Sequence, residues 1–148
     1  MTKVFNTVFE VSLRVLCILN IVETPISLER ILCLDFFSIY GKDFDLCNFN
    51  LHGNSNYKYA EMASRRFLIK KGLQNLVLQR YIDVTFNSSG VFYAISLKGK
   101  NFQQKMNNNY SLKLSNILKD IISVMGNKPD SELLNLLKLA VNDLGGEK

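Results

Sequence analysis

Between residues 65 and 71 the chain sets four cations, Arg65, Arg66, Lys70 and Lys71, with Gln74 and Asn75 one helical turn further on. Guanidinium and ammonium groups at that density are suited to meeting phosphate oxygens, and Arg, Gln or Asn can also pair with base edges. Residues 57–105 carry nine cations against two acids, a local net of +7, so the remainder of a chain whose total is +5 sums to −2. The basicity therefore belongs to the middle third, where Lys98 and Lys100 add to the group. Arg66, Lys70, Lys71, Gln74, Asn75, Lys98 and Lys100 are the candidate nucleic-acid contacts. Neutralising about four phosphates would make log affinity fall with log salt at a slope of about −3.6. The plainer reading is a helix face kept wet opposite a core stripe. Arg65 has a third option, a buried ion pair with Asp35 or Glu61.

Other chemistry is thinly represented. His52 is the single histidine and by itself makes neither a metal site nor a triad. Asp43 and Asp45 sit in a polar stretch better suited to turn formation than to acid–base work. No glycine-rich phosphate loop occurs. Cys17, Cys33 and Cys47 are far apart and odd in number, which suggests neither a disulfide framework nor a zinc site and fits a reducing cytoplasm. The expectation is a protein that is not an enzyme and takes no metal or cofactor.

The elements that position these residues follow from periodicity. At 148 residues and 47% hydrophobic content, one core is the natural solution, so residues 1–148 read as a single domain. A first helix over 1–23 buries Phe5, Val8, Phe9, Leu13, Leu16 and Leu19, with Asn6, Glu10 and Arg14 facing away and Glu10 pairing with Arg14. Those two charges also argue against a membrane span. Ser27 caps a second helix that is apolar nearly all round and belongs in the centre of a core. Residues 42–57 read as a long loop. A third helix over 59–81 buries Met62, Ile69, Leu73, Leu76 and Val77, with Gly72 marking a kink, a break or a close backbone contact. After Arg80 the period changes from 3.6 to 2, and "YIDVTF", "NSSG" and "VFYAIS" make a β-hairpin. A short helix follows the hairpin. Two more cover 110–144, the last capped by Ser131 and more apolar than one core-facing stripe requires. Phe5 and Phe9 at one end of the chain, and Leu136 and Leu139 at the other, are candidate partner contacts, though packing of the last helix beneath the first explains the excess equally well.

Helix, loop, helix, hairpin, helix is the order of a winged helix-turn-helix, which here would span residues 26–106 between the flanking helices. The fold class expected is thus mainly α with one β-hairpin. With the flanks included, "SLERILCLDFF" (27–37), "LHGNSNYKYAEMASRRFLIKKGLQNLVLQRYIDV" (51–84), "GVFYAISLKGKNF" (90–102) and "YSLKLSNILKDI" (110–121) resemble the middle component of bacterial ABC-three-component defence systems of the Lamassu-like group. The resemblance rests on Leu34 with Asp35, Leu51 with His52, Arg65, and the spacing from Tyr110 to Leu114. It implies an accessory subunit without chemistry of its own. Such a subunit would bind an SMC-like ABC ATPase and couple sensing of foreign DNA to an effector, often a nuclease. The alternative is a free-standing winged-helix transcription regulator that dimerises through its first and last helices.

Overall fold

The computed structural model describes residues 7–39, 58–106 and 109–145, side chains included except at 58–63, 110 and 139–145. Its elements run α1 (Val8–Val22), α2 (Leu28–Ile39), α3 (Lys58–Leu78), β1 (Ile82–Asn87), β2 (Gly90–Ile95), α4 (Leu97–Lys105), α5 (Asn109–Met125) and α6 (Asp130–Gly145). This is the mainly helical chain with one antiparallel hairpin that the periodicity predicts. Phe5, the 42–57 segment with Asp43, Asp45, Cys47 and His52, and the side chains of Glu61 and Met62 lie outside the described residues.

Helix α1 starts where Thr7 accepts a hydrogen bond from the Glu10 amide and ends at Glu23, which turns left-handed at φ 68° ahead of Pro25. Its burial corrects the amphipathic reading. Every residue from Val11 to Leu19 is buried except Leu13, which is half-buried, because α2, α3, α4, α5 and β2 all pack against α1. Leu16 and Leu19 are inside as expected, but Phe9 is 70% exposed and Arg14 is fully buried. Arg14 does not pair with Glu10 across a wet face. Its Nε donates to Asp35 Oδ1 of α2 at 2.7 Å, while Arg65 Nη1 of α3 donates to Asp35 Oδ2 at 3.2 Å. One carboxylate thus ties three helices together. Burial pushes the Asp35 pKa up, but attraction and hydrogen bonding from Arg14 and Arg65 outweigh it and hold the carboxyl below its ordinary value.

Helix α2 is buried at every position from Ile31 to Ile39, as an all-round apolar helix must be. Ser27 caps it by accepting from the Arg30 amide at 3.1 Å. The same hydroxyl donates to Asp130 Oδ2 at 2.6 Å, and Arg30 Nη1 donates to Asp130 Oδ1, also at 2.6 Å. Arg30 Nη2 meanwhile donates to the carbonyls of Gly126 and Lys128, at 2.8 and 2.7 Å. One side chain therefore satisfies carbonyls of the turn between α5 and α6 and anchors the acidic first turn of α6. Helix α6 begins at Asp130, so Ser131 lies inside its first turn and is not the cap. It packs chiefly on α2 and α3 rather than beneath α1, with Leu133 and Leu137 buried.

Gly72 proves to be a close approach: a Cβ there would stand 2.9 Å from Ser12 Oγ of α1. Helix α3 closes with a Schellman arrangement, in which Arg80 takes φ 67° and the amides of Arg80 and Tyr81 return to the carbonyls of Val77 and Leu76. The hairpin then pairs Ile82 with Ile95, Val84 with Tyr93 and Phe86 with Val91. Ile26, between α1 and α2, exchanges two backbone hydrogen bonds with Tyr93 and adds a short third rung to the sheet.

Cys17 and Cys33 are free and buried, as their apolar neighbourhoods suggest. Burial, with the nearby Asp130 carboxylate adding to it, pushes the Cys33 thiol up to about 12. Burial also raises Cys17, against a hydrogen bond with Ser115. Thiolate is the reactive species. Iodoacetamide at pH 8 should therefore leave both residues unmodified in the native protein and alkylate both in urea, as read by peptide mass spectrometry. Prompt labelling of Cys33 without urea would contradict this burial.

Candidate nucleic-acid and partner interface

Along α3, Phe67, Lys70, Lys71, Gln74, Asn75 and Leu78 are all exposed. Arg66 is different. It is half-buried, and its guanidinium donates to Glu29 of α2 at 2.7 Å, which neutralises part of the expected basic cluster. Arg65 is inside, on Asp35, in the role the sequence left open beside nucleic-acid contact. Of the four cations that open the stretch, Lys70 and Lys71 have no acidic partner among the described residues, and the Lys71 ammonium lies 5.6 Å from the Phe67 ring centroid.

The seven candidate residues do not share one surface. Lys70 and Gln74, four apart on one helix face, line a groove between α3, the start of α2 and the hairpin. Asn75, one residue and about 100° further round, lines a second depression with Phe9, Gln79, Tyr81 and Phe102, between α1, α3 and α4. Lys98 belongs to that second side. Its Nζ donates to the Gln79 carbonyl at 2.8 Å and sits 4.8 Å from the centroid of the Tyr81 ring, so it caps the negative end of α3. Lys100 is exposed on α4.

The partner candidates divide as well. Phe9 is exposed beside Phe102 at the second depression. Leu136 is half-buried and packs on the core, so it offers little free surface. Phe5 and the side chain of Leu139 lie outside the described residues.

The groove beside Lys70 is the feature that the motif reading missed. It encloses about 530 Å³ and is walled by Leu28, Leu73, Val77, Leu78, Val84 and Tyr93. Strand alternation puts Ile82, Val84 and Phe86 on one face of the hairpin, paired with Ile95, Tyr93 and Val91. That face is buried at its base, half-buried in the middle and exposed at its tip. The period-2 pattern that identified the hairpin already contained this apolar face; what it lacked was the knowledge that no element among the described residues covers the outer rungs.

No helix among the described residues is long and apolar enough to cross a membrane, and no cluster of three or more His, Cys, Asp or Glu there is placed to hold a metal ion. The architecture is that of a small, mainly helical protein presenting a helix and a hairpin side by side. A family model, that of Middle Component 2 of ABC-three component (ABC-3C) systems, matches residues 4–147, and the chain belongs to that family. It is thus a component of a multi-component system. No curated protein and no solved structure matches the chain.

Proposed function

We propose that the protein is a non-enzymatic, cytoplasmic winged-helix subunit of a Lamassu-like defence system. It docks on an SMC-like ABC ATPase and couples sensing of foreign DNA to an effector subunit, which can be a nuclease. Membership of the middle-component family across residues 4–147 is the observation that carries this reading. Three features of the fold support the winged-helix part: α2 and α3 precede the hairpin, α4 follows it, and the Ile26 rung adds the short third strand that such sheets use. Contact with DNA on this reading is electrostatic and indifferent to sequence, carried by exposed lysines such as Lys71 and Lys100 rather than by the Glu29-bound Arg66.

Co-expression of the three components with a tag on this chain is the test. A stable complex containing the ATPase is expected, and Lys71→Glu with Lys100→Glu should weaken its binding to a labelled DNA duplex and lower the salt slope by about 1.8. Purification of this chain as a lone dimer with nanomolar, sequence-selective affinity for DNA would replace this reading with that of a transcription regulator.

A further inference from the structure

We infer that the groove between α3 and the hairpin is a docking site for an amphipathic helix of another component, one whose apolar stripe is edged by carboxylates. The inference deepens the proposed role and rests on the chain working bound to other components.

Three observations point to that occupant. Leu78, on the α3 wall of the groove, is 79% exposed, and Phe86, further out on the hairpin face that brings Val84 to the groove, is 76% exposed, with Val91 beside it at the tip. Large apolar side chains held in water at the edge of a concave apolar surface are anchors without their counterpart. The walls are next: α3 presents side chains, and the hairpin turns its face rather than its edge toward the groove. Strand addition needs an open edge with unpaired backbone groups, so side-chain recognition of a helix is the mode that fits. Charge is the third. Lys70 stands on the groove wall with no acidic partner among the described residues, and residues 64–78 of α3 contain no acid at all. Glu29 at the start of α2 is paired with Arg66. An occupant bearing Asp or Glu beside its apolar anchors therefore complements the rim. A nucleic-acid duplex complements it poorly, because phosphates and sugars would face Leu78, Phe86 and Val91 in place of donors.

The test uses the full chain with the purified ATPase and effector components of the same system, and a fluorescein-labelled 20-base-pair duplex as the competing probe. Leu78→Glu and Phe86→Glu alter exposed positions, so their circular dichroism and melting should match the parent protein. Each should weaken binding to at least one component about tenfold, and the pair about a hundredfold. Lys70→Glu should weaken the same complex and reverse part of its salt dependence. Retention of both components within about twofold by the double variant overturns the groove assignment while leaving the subunit role standing. Failure of the unaltered chain to bind either component overturns both. If the double variant instead loses affinity for the duplex and keeps its protein partners, the groove is a nucleic-acid site and the inference falls.

Discussion

Asp35→Ala is expected to cost about 3–5 kcal/mol, a large share of the 5–15 kcal/mol that holds a typical domain together. The cost does not come from losing a strong attraction. A buried ion pair gains little over an apolar replacement, since desolvation consumes most of the Coulombic energy. It comes from what remains: Arg14 and Arg65, both buried, would lose the carboxylate they share, with their two positive charges left close together. Asp35→Asn separates this from a packing effect. It keeps the volume and removes the charge, so it should fall in the same range, with a melting temperature lower by about 6–20 °C. An Asn variant that unfolds in urea within about 1 kcal/mol of the parent would show that the carboxylate charge is dispensable. The pH dependence follows from the same geometry. Because the folded pKa is depressed, the contribution is present in full above the unfolded value of about 3.9 and is lost as pH falls through the folded one. Acid should therefore destabilise the parent protein more steeply than either variant below about pH 4.

Arg14 also marks the limit of what periodicity can deliver. The change of period after Arg80 located the hairpin, because Ile82, Val84 and Phe86 alternate in a way that only a ribbon explains, and the structure pairs those residues with Ile95, Tyr93 and Val91. Helices α2 and α3 were legible for the same local reason. A helical wheel, however, assumes that one side meets water. Helix α1 has no such side between Val11 and Leu19, so the wheel assigned Arg14 outward and Phe9 inward, the reverse of what packing imposes. The signal that would have helped is a coincidence across elements: Arg14 and Asp35 are opposite charges isolated in two otherwise apolar segments. The Arg30–Asp130 anchor joins residues 100 apart in sequence, and no local rule reaches that far. For the candidate interface, composition found the cations but not their division. Neighbouring residues such as Gln74 and Asn75 diverge by about 100° around a helix, and only the docking of α4 and the hairpin decides which side each one serves.

Gly99→Ala should cost about 1–3 kcal/mol, although it adds only a methyl group. Ser96 caps α4 by accepting from the Gly99 amide at 3.1 Å, and it donates from its hydroxyl to the Arg80 carbonyl and from its amide to the Tyr81 carbonyl. These bonds clamp the first turn of α4 onto the chain that leaves α3. A Cβ at residue 99 would run into the Tyr81 carbonyl oxygen and stand 2.8 Å from Ile95 Cγ1. The Tyr81 oxygen cannot rotate away as a side chain would, because the left-handed turn at Arg80 and the return of the Tyr81 amide to Leu76 fix its backbone. Relief requires α4 to lift, with loss of the Ser96 bonds and of the Tyr81–Phe102 ring contact at 4.9 Å. Overpacking of about 1–3 kcal/mol plus about 1 kcal/mol for a hydrogen bond outweighs the gain of about 1 kcal/mol from replacing a helical glycine. Gly72→Ala is the control. There the nearest atom is the Ser12 hydroxyl, which can turn aside at the expense of its bond to the Val8 carbonyl, and the helix gains the same propensity, so the net change should be small. Thermal melts should place Gly99→Ala several degrees below Gly72→Ala. Equal melting temperatures would mean that α4 does not press on the base of the hairpin as closely as these atoms require.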